Sequence, residues 1–519
     1  MFDFMQNLFT DPSPVALFPI VTFVLLVLFF VYYLVILQPQ RGTNEWVEME
    51  VAKTTLTFLT HRFPMKKRDI APLSTIIIVF LILAVFNLGD VTEVDVLREI
   101  ETPSENRTHL NNMYFDEIYH VRTAVEHIEN VNPYEISHPP LGKEIIAVSI
   151  LTFGMSPLGW RLFGAIFGVM MLAVMYVFIK NMFGRTIIAT CGTLLLGFDF
   201  MRFVQTRIAT IDTYVVFFIL LAFFFMYRHI TTDPDAKFQK SLAPLALSGF
   251  FFGLSFAVKW IGFYAGAGLL VIYVIRLVQL GLHYKSTKKS GFDDYLIKTL
   301  LFSVLFFVIV PAIVYYLTYI PYGLARGMTI DSGMLWSAEF FEIVRSNQVT
   351  MFNYHSTLEA THPFSSWWWE WISNTHPILY VYGVMDDVRA TFGAFGNPVV
   401  WWGGFLAMIW MAVRVFTHRD GKALFILIGY LSQLLPWVAV TRIVFIYHYF
   451  PSTLFIVLAL AHIFNTIMER KKRGRKLAVY GYTTLAGLVF AVFYPVLAGM
   501  YLPDWYYVDL IKWLPTWPF

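Results

Sequence analysis

The chain has 519 residues, of which 57% are hydrophobic, 18% aromatic and only 14% charged. A water-soluble domain carries about 25% charged residues, so this composition excludes an ordinary soluble protein and places the chain in a bilayer. The formal charge of +3 excludes nucleic acid as partner, and the single cysteine, Cys191, excludes an internal disulfide and a thiolate metal site.

Apolar runs near spanning length recur at about 15–37, 73–89, 158–179, 186–200, 212–227, 243–259, 261–279, 298–320, 399–413, 423–441, 445–467 and 477–500. They predict an all-α integral membrane protein of about eleven to twelve transmembrane helices, with 186–200 and 399–413 the weakest members. The first run, Val15–Leu37, follows an acidic residue rather than a basic cluster, and reads as a spanning helix rather than a leader. About two thirds of the 38 Lys and Arg residues fall in segments 38–72, 180–185, 228–240, 276–298, 414–422 and 469–476. These belong on the cytoplasmic side, with Arg470–Lys476 the strongest marker. Alternation then puts both chain ends and two larger loops, 90–157 and 321–397, outside the cytoplasm. The expected organisation is an extra N-terminal helix with an amphipathic connector (1–72), a membrane core (73–320), the second loop (321–397) and C-terminal helices (398–519).

The first large loop carries the densest polar stretch. Asp116-Glu117 is an acidic pair beside a span, where a carboxylate can orient a hydroxyl and accept its proton. Downstream, His138-Pro139-Pro140-Leu141-Gly142-Lys143 fixes the backbone before a new helix, so His138, Lys143 and the first helical N–H groups can meet an anion. The bland reading is a rigid turn with a snorkelling lysine. Arg161 opens the next span, and a planar guanidinium suits a phosphate; an interfacial anchor is its alternative. Arg207 and Asp212 bracket the start of another span, where pairing with each other is as reasonable as touching substrate. Lys259 ends a span on the same side. In the second loop, His362 and Trp367 are candidates for sugar or acceptor contact, although tryptophans also suit membrane interfaces. Asn106-Arg107-Thr108 is a glycosylation sequon. No H-x-x-x-H spacing supports a metal site, so no cofactor is assigned and a divalent cation is the disfavoured alternative.

The ordered set F-D-E, H-P-P-L-G-K, R-L-F-G, Q-T-R-I-A-T-I-D and V-K-W-I-G-F, then H-P-F-S-S-W-W-W-E-W, G-N-P-V-V-W-W and Y-H-Y-F-P-S, resembles the protein O-mannosyltransferase family from about Phe115 to Ser452. The resemblance implies a GT-C membrane fold. It implies inverting transfer of mannose from a polyprenyl (commonly dolichyl) phosphate-mannose donor to Ser or Thr hydroxyls of a protein or peptide acceptor. It makes Asp116 the base or acceptor-orienting carboxylate, supported by Glu117, and Arg161 a donor-binding group. Eukaryotic members carry a β-trefoil MIR domain in the second large loop, which is too short here. A prokaryotic-type member follows, multi-pass in the plasma membrane with an extracytoplasmic site. Such families can act as pairs, so a homo- or heterodimer is an open expectation.

Arg161, Arg207, Lys143 and Lys259 are thus the candidate cations for the departing phosphate. A phosphate leaves readily, so one carboxylate suffices and no separate general acid is needed. The runner-up is a GT-C enzyme moving another lipid-linked sugar to a lipid or glycan. A transporter or a non-catalytic partner subunit ranks lower, since the polar groups gather on one side rather than at mid-membrane.

Overall fold

The chain is described by a computed structural model for residues 63–89, 113, 115–331, 333–385, 388–470 and 474–519. The apolar run 15–37, the connector up to residue 62, the sequon at 106–108, Asp386, Asp387 and Lys471–Arg473 lie outside the described residues.

The helices are, in chain order, α1 Ile70–Val85, α2 Glu117–Ile128, α3 Leu141–Phe153, α4 Pro157–Phe183, α5 Thr186–Gly197 and α6 Phe200–Gln205. There follow α7 Asp212–Ile230, α8 Phe238–Val258, α9 Gly262–Ser286, α10 Phe292–Leu324 and α11 Ala338–Thr357. The last are α12 Trp368–Ser373, α13 Pro398–His418, α14 Gly421–Leu434, α15 Phe450–Glu469 and α16 Arg475–Leu497. Ten of the helices among the described residues are long and apolar enough to cross a membrane; α2, α3, α5, α6, α11 and α12 are not.

Local sequence sets these boundaries. Ser156 caps α4 by accepting from the Gly159 N–H, Pro157 opens its first turn, and Gly184 ends it at φ 73°. Asn397 and Asp420 cap α13 and α14 in the same way. The expected span at 186–200 stops short. α5 has twelve residues, rising about 18 Å against a hydrocarbon core of about 30 Å. It ends because Asp199 starts α6, accepting from the Arg202 N–H and from Trp401 Nε1. By contrast the run at 399–413 is a full spanning helix, α13.

Every residue of α7 is buried, and α4 and α15 nearly so, which makes them the centre of the bundle. α1, α10 and α16 are the most exposed, turning residues such as Ile82, Leu301 and Leu488 outward as a lipid-facing rim requires. The ends rich in basic residues converge. Lys180 at the end of α4 pairs with Asp69 before α1 at 2.9 Å, and Arg185 donates to the Met468 carbonyl of α15. Lys422 of α14 sits over Phe183. One face of the bundle thus collects the basic ends, as an alternating path demands.

The opposite face carries α2, α3, α11, α12 and a feature not expected from the sequence. It is a small antiparallel sheet in the order β1 (Ile378–Met385), β2 (Val388–Ala394), β3 (Leu502–Pro503). The second large loop is therefore a helix, a short helix and a hairpin laid across the bundle. α3 reaches the centre because residue 142 is glycine: a Cβ there would lie 2.5 Å from Ile211 Cγ2 at the start of α7.

Candidate active site

A cavity of about 1440 Å³ opens on this face, walled by the start of α2, the 134–138 loop, the α8–α9 break and the end of α11. The 439–448 segment closes it.

Asp116 enters the cavity through an unusual backbone. Phe115 has φ +48°, a left-handed conformation that costs a bulky residue about 1–3 kcal/mol and persists only where the surroundings enforce it. The enforcement is aromatic: the Phe115 ring stacks on Tyr380 of β1 at 4.8 Å and meets Phe445 and Tyr447 edge-on. Asp116 precedes α2 but makes no capping bond. Among the described residues its carboxylate meets no hydrogen-bond or ion-pair partner. Burial pushes its pKa up to about 7, against the pull of Lys259 and with the repulsion of Asp212 and Glu135.

Glu117 points the other way. Arg161 of α4 donates to it twice, Nε to Oε1 at 2.9 Å and Nη2 to Oε2 at 2.8 Å, and the Ala209 N–H donates to Oε1 at 2.7 Å. Carboxylate and guanidinium are both fully buried. Adjacent acids thus have different occupations: Glu117 ties α2 to α4 and to the 206–211 segment, and Asp116 is left facing the cavity.

Several expected phosphate ligands are engaged elsewhere. Arg161 is in the pair just described and also donates to Leu88 O, outside the cavity wall. Arg207 does not pair with Asp212. It donates to the carbonyls of Leu83, Ala84 and Phe86 and to Asn87 Oδ1, closing the C-terminus of α1. Arg202 does the same for α5 at Leu196 and Gly197. Lys143 is fully buried, its Nζ bonded to Glu135 Oε2 at 2.6 Å and to the carbonyls of Glu135 and His138. Asp212 instead meets Lys259, at 2.9 and 3.1 Å. Lys259 breaks the chain between α8 and α9 in an extended conformation, and lies 5.4 Å from the Tyr447 ring in the cavity wall.

His138 lines the cavity, stacked on His355 at 5.2 Å, while His355 Nε2 donates to Ser137 O. Burial pushes His120 and His355 down to about 4 and His138 well below its ordinary value, so these rings are neutral near pH 7. Burial opposes the charge of Glu135, yet the Lys143 ammonium beside it holds its carboxyl below the usual carboxylate range. His362 stands where the cavity meets a second groove of about 460 Å³, which Trp367 also lines. Trp367 is stacked on Trp369 at 5.4 Å.

Two charged groups of the cavity wall are absent from the residues that the sequence singles out. Glu135 is the anion that orders the 134–138 loop. Arg442 lines both cavity and groove, half-buried, and among the described residues its guanidinium donates only to its neighbour, Ile443 O. The available signal was a lone arginine in V-T-R-I-V, between two apolar runs on the polar side. With Lys259 it is one of two Lys or Arg side chains among the cavity's described lining residues. No group of three His, Cys, Asp or Glu among the described residues is placed to hold a metal ion.

Comparison with known proteins follows this geometry. Residues 150–322 match the family model described as dolichyl-phosphate-mannose-protein mannosyltransferase. Residues 340–517 match the model for the C-terminal four-transmembrane region of protein O-mannosyltransferase. The polyprenol-phosphate-mannose–protein mannosyltransferase of Corynebacterium glutamicum is 25% identical over 465 residues, covering 78% of this chain and 88% of the relative. That of Mycobacterium tuberculosis is 26% identical over 442 residues, covering 74% and 81%. The fold is shared with the Saccharomyces cerevisiae protein O-mannosyltransferase Pmt1–Pmt2 complex bound to the sugar donor. There the TM-score is 0.74 at 13% identity, over 89% of this chain and 94% of that one.

Proposed function

We propose, for a chain that belongs to the protein O-mannosyltransferase family, an inverting transfer of mannose from a polyprenyl-phosphate-mannose donor to Ser or Thr hydroxyls of a protein. The reaction takes place on the extracytoplasmic side of a prokaryotic plasma membrane in this reading, which the positive-inside pattern supports. One observation carries the chemistry. Among the acids of the 113–153 region, Asp116 is the carboxylate that faces the large cavity without a partner.

The acceptor oxygen attacks the anomeric carbon as the carbon–oxygen bond to the lipid phosphate breaks. The hydroxyl proton passes to Asp116, and the bond's electron pair leaves with the phosphate. A carboxylate with its pKa near 7 is suited to this, because a base works best when its pKa lies near ambient pH. Arg442 and Lys259 supply positive charge for the developing phosphate. The Asp212 pair already offsets much of the Lys259 charge, which makes Arg442 the principal ligand. The neutral His138–His355 stack and Tyr447 offer flat surfaces beside the sugar. The groove past His362 and Trp367 takes the acceptor.

The test uses the full chain in lipid nanodiscs with radiolabelled polyprenyl-phosphate-mannose, a Ser/Thr-rich peptide, and parallel arms with EDTA and with Asp116→Asn. Label should reach the peptide, resist EDTA and fall about 10²–10⁴-fold in the variant. Wild-type turnover by Asp116→Asn would refute the assignment. Donor consumption with label on membrane lipid or glycan but none on peptide would replace the acceptor class.

A further inference from the structure

α11 lies outside the membrane-spanning set, yet its surface does not read as that of a helix bathed in water. It has three sectors. Phe340, Ile343, Val344, Asn347 and Met351 face the protein and are buried. Glu339, Glu342, Thr350 and Asn353 form a polar sector open to solvent. Between them, on about 80° of arc at 100° per residue, lie Ala338, Phe341, Arg345, Val349, Phe352 and, at the cavity end, Ser356. Phe341 is 60% exposed, Val349 47% and Phe352 64%, and Trp336 just before the helix is 88% exposed. Two outward sectors of opposite polarity are what a helix needs when it lies along a bilayer, with water above and lipid beside it.

The helix stands at the right level for this. Its inner face is bonded to the cavity-side end of the spanning helix α10. Tyr315 OH donates to Gln348 Oε1 at 2.6 Å and Tyr319 OH to Asn347 Oδ1 at 2.7 Å, while Tyr316 OH donates to Leu335 O at 3.0 Å in the turn before the helix. α10 is itself the most lipid-exposed span, with Ile309 and Ile313 open. Aromatic side chains with a polar neighbour are the types that populate the membrane interface. Arg345, paired to Glu342 through two bonds of 2.7 Å, can lay its stem along the apolar sector while its head stays in water.

We propose that α11 is an in-plane membrane helix, with Trp336, Phe341, Val349 and Phe352 seated in the lipid interface on the cavity side. The same helix also holds the cavity. Asn347 Nδ2 donates to Ile136 O, His355 Nε2 donates to Ser137 O, and Tyr354, His355 and Ser356 are part of the cavity wall. Lipid contact on one sector therefore fixes the height of that wall, and of the 134–138 loop, relative to the leaflet. That consequence for a lipid-borne donor rests on the proposed function; the lipid contact does not.

The single cysteine, Cys191, makes the experiment clean. In a Cys191→Ser background of the full chain in nanodiscs, nitroxides are placed by Phe341→Cys, Val349→Cys, Phe352→Cys, Glu342→Cys and Asn353→Cys. Power-saturation EPR then compares collision with oxygen, which concentrates in lipid, against a water-soluble nickel chelate. Positions 341, 349 and 352 should favour oxygen, and 342 and 353 should favour nickel. Five positions all favouring nickel would overturn the proposal by placing the helix clear of the bilayer. Positions 341 and 352 shielded from both quenchers would overturn it by showing a protein cover. The readout needs no turnover, so failure of the mannosyl-transfer reading would leave it standing, and the converse.

Discussion

The division of labour between Asp116 and Glu117 makes a sharp prediction for Glu117→Gln. The substitution keeps shape and one acceptor for the Ala209 N–H, but removes the charge that Arg161 meets through two bonds of 2.8–2.9 Å in a fully buried site. The guanidinium is then a buried charge facing an amide that presents a donor of its own. Breaking a buried pair in this way costs about 3–5 kcal/mol, or about 10²–10⁴ in the folding equilibrium. Removing both charges, with Glu117→Leu and Arg161→Met together, should recover part of the loss. It should stop about 1–3 kcal/mol short of the native value, because the Ala209 N–H is left without an acceptor. Steric trapping in bicelles, reading the unfolding free energy of the two singles and the double, measures this directly. Among folded molecules, Glu117→Gln should keep far more turnover than Asp116→Asn. A Glu117→Gln protein as stable as wild type but as inactive as Asp116→Asn would refute the reasoning and make Glu117 a chemical group.

Two further outcomes follow from the cavity's electrostatics. With Asp116 held near 7 by burial, the working form is the ionised one. kcat/KM should therefore fall about tenfold per pH unit below that value and level off above it, as initial rates across pH 5–9 would show; a flat profile would exclude Asp116 as base. Arg442→Gln should lower kcat/KM for the lipid-phosphate donor by about 10²–10³-fold with Arg442→Lys intermediate, and rates within twofold of wild type would remove Arg442 from the phosphate site.

How much of this was legible in the chain depends on the kind of question asked. Spanning segments follow from composition and length, and among the described residues ten spanning helices stand at apolar runs of the sequence, with 186–200 shortened by the Asp199 cap. The polar loop after the first described span was equally visible. What sequence spacing cannot tell is which partner a buried cation finds. Lys143 and Glu135 are eight residues apart, but Arg161 meets Glu117 across 44 and Lys259 meets Asp212 across 47. Arg207 was expected near substrate because it opens a span, yet it closes the end of α1, 120 or more residues upstream. The sheet is a different case, since its signal was present. I-L-Y-V-Y-G-V-M and V-R-A-T-F-G-A are β-branched and aromatic runs separated by two acidic residues, the length of a hairpin turn. In a chain of membrane composition such short apolar runs fit a helix equally well by periodicity.

The Asp212–Lys259 pair shows why a cavity for an anionic donor should neutralise one of its two cations. An unpaired Lys259 beside Asp116 would hold that carboxyl ionised but lower its basicity, since the lysine field favours the anion. Asp212 opposes it twice over: it engages the ammonium at 2.9 Å, and its own charge disfavours ionisation of Asp116. The balance leaves Asp116 near neutrality while Arg442, farther along the wall, keeps its charge for the phosphate. Asp212→Asn tests this with a defined sign. It removes the repulsive charge and releases the lysine, so both changes lower the Asp116 pKa. The acid limb of the kcat/KM profile must then move below pH 7, and the plateau rate must drop because a weaker base transfers the proton less well. A limb that stayed in place, or moved to higher pH, would show that Asp212 does not set the charge of Asp116, and would leave burial alone to account for it.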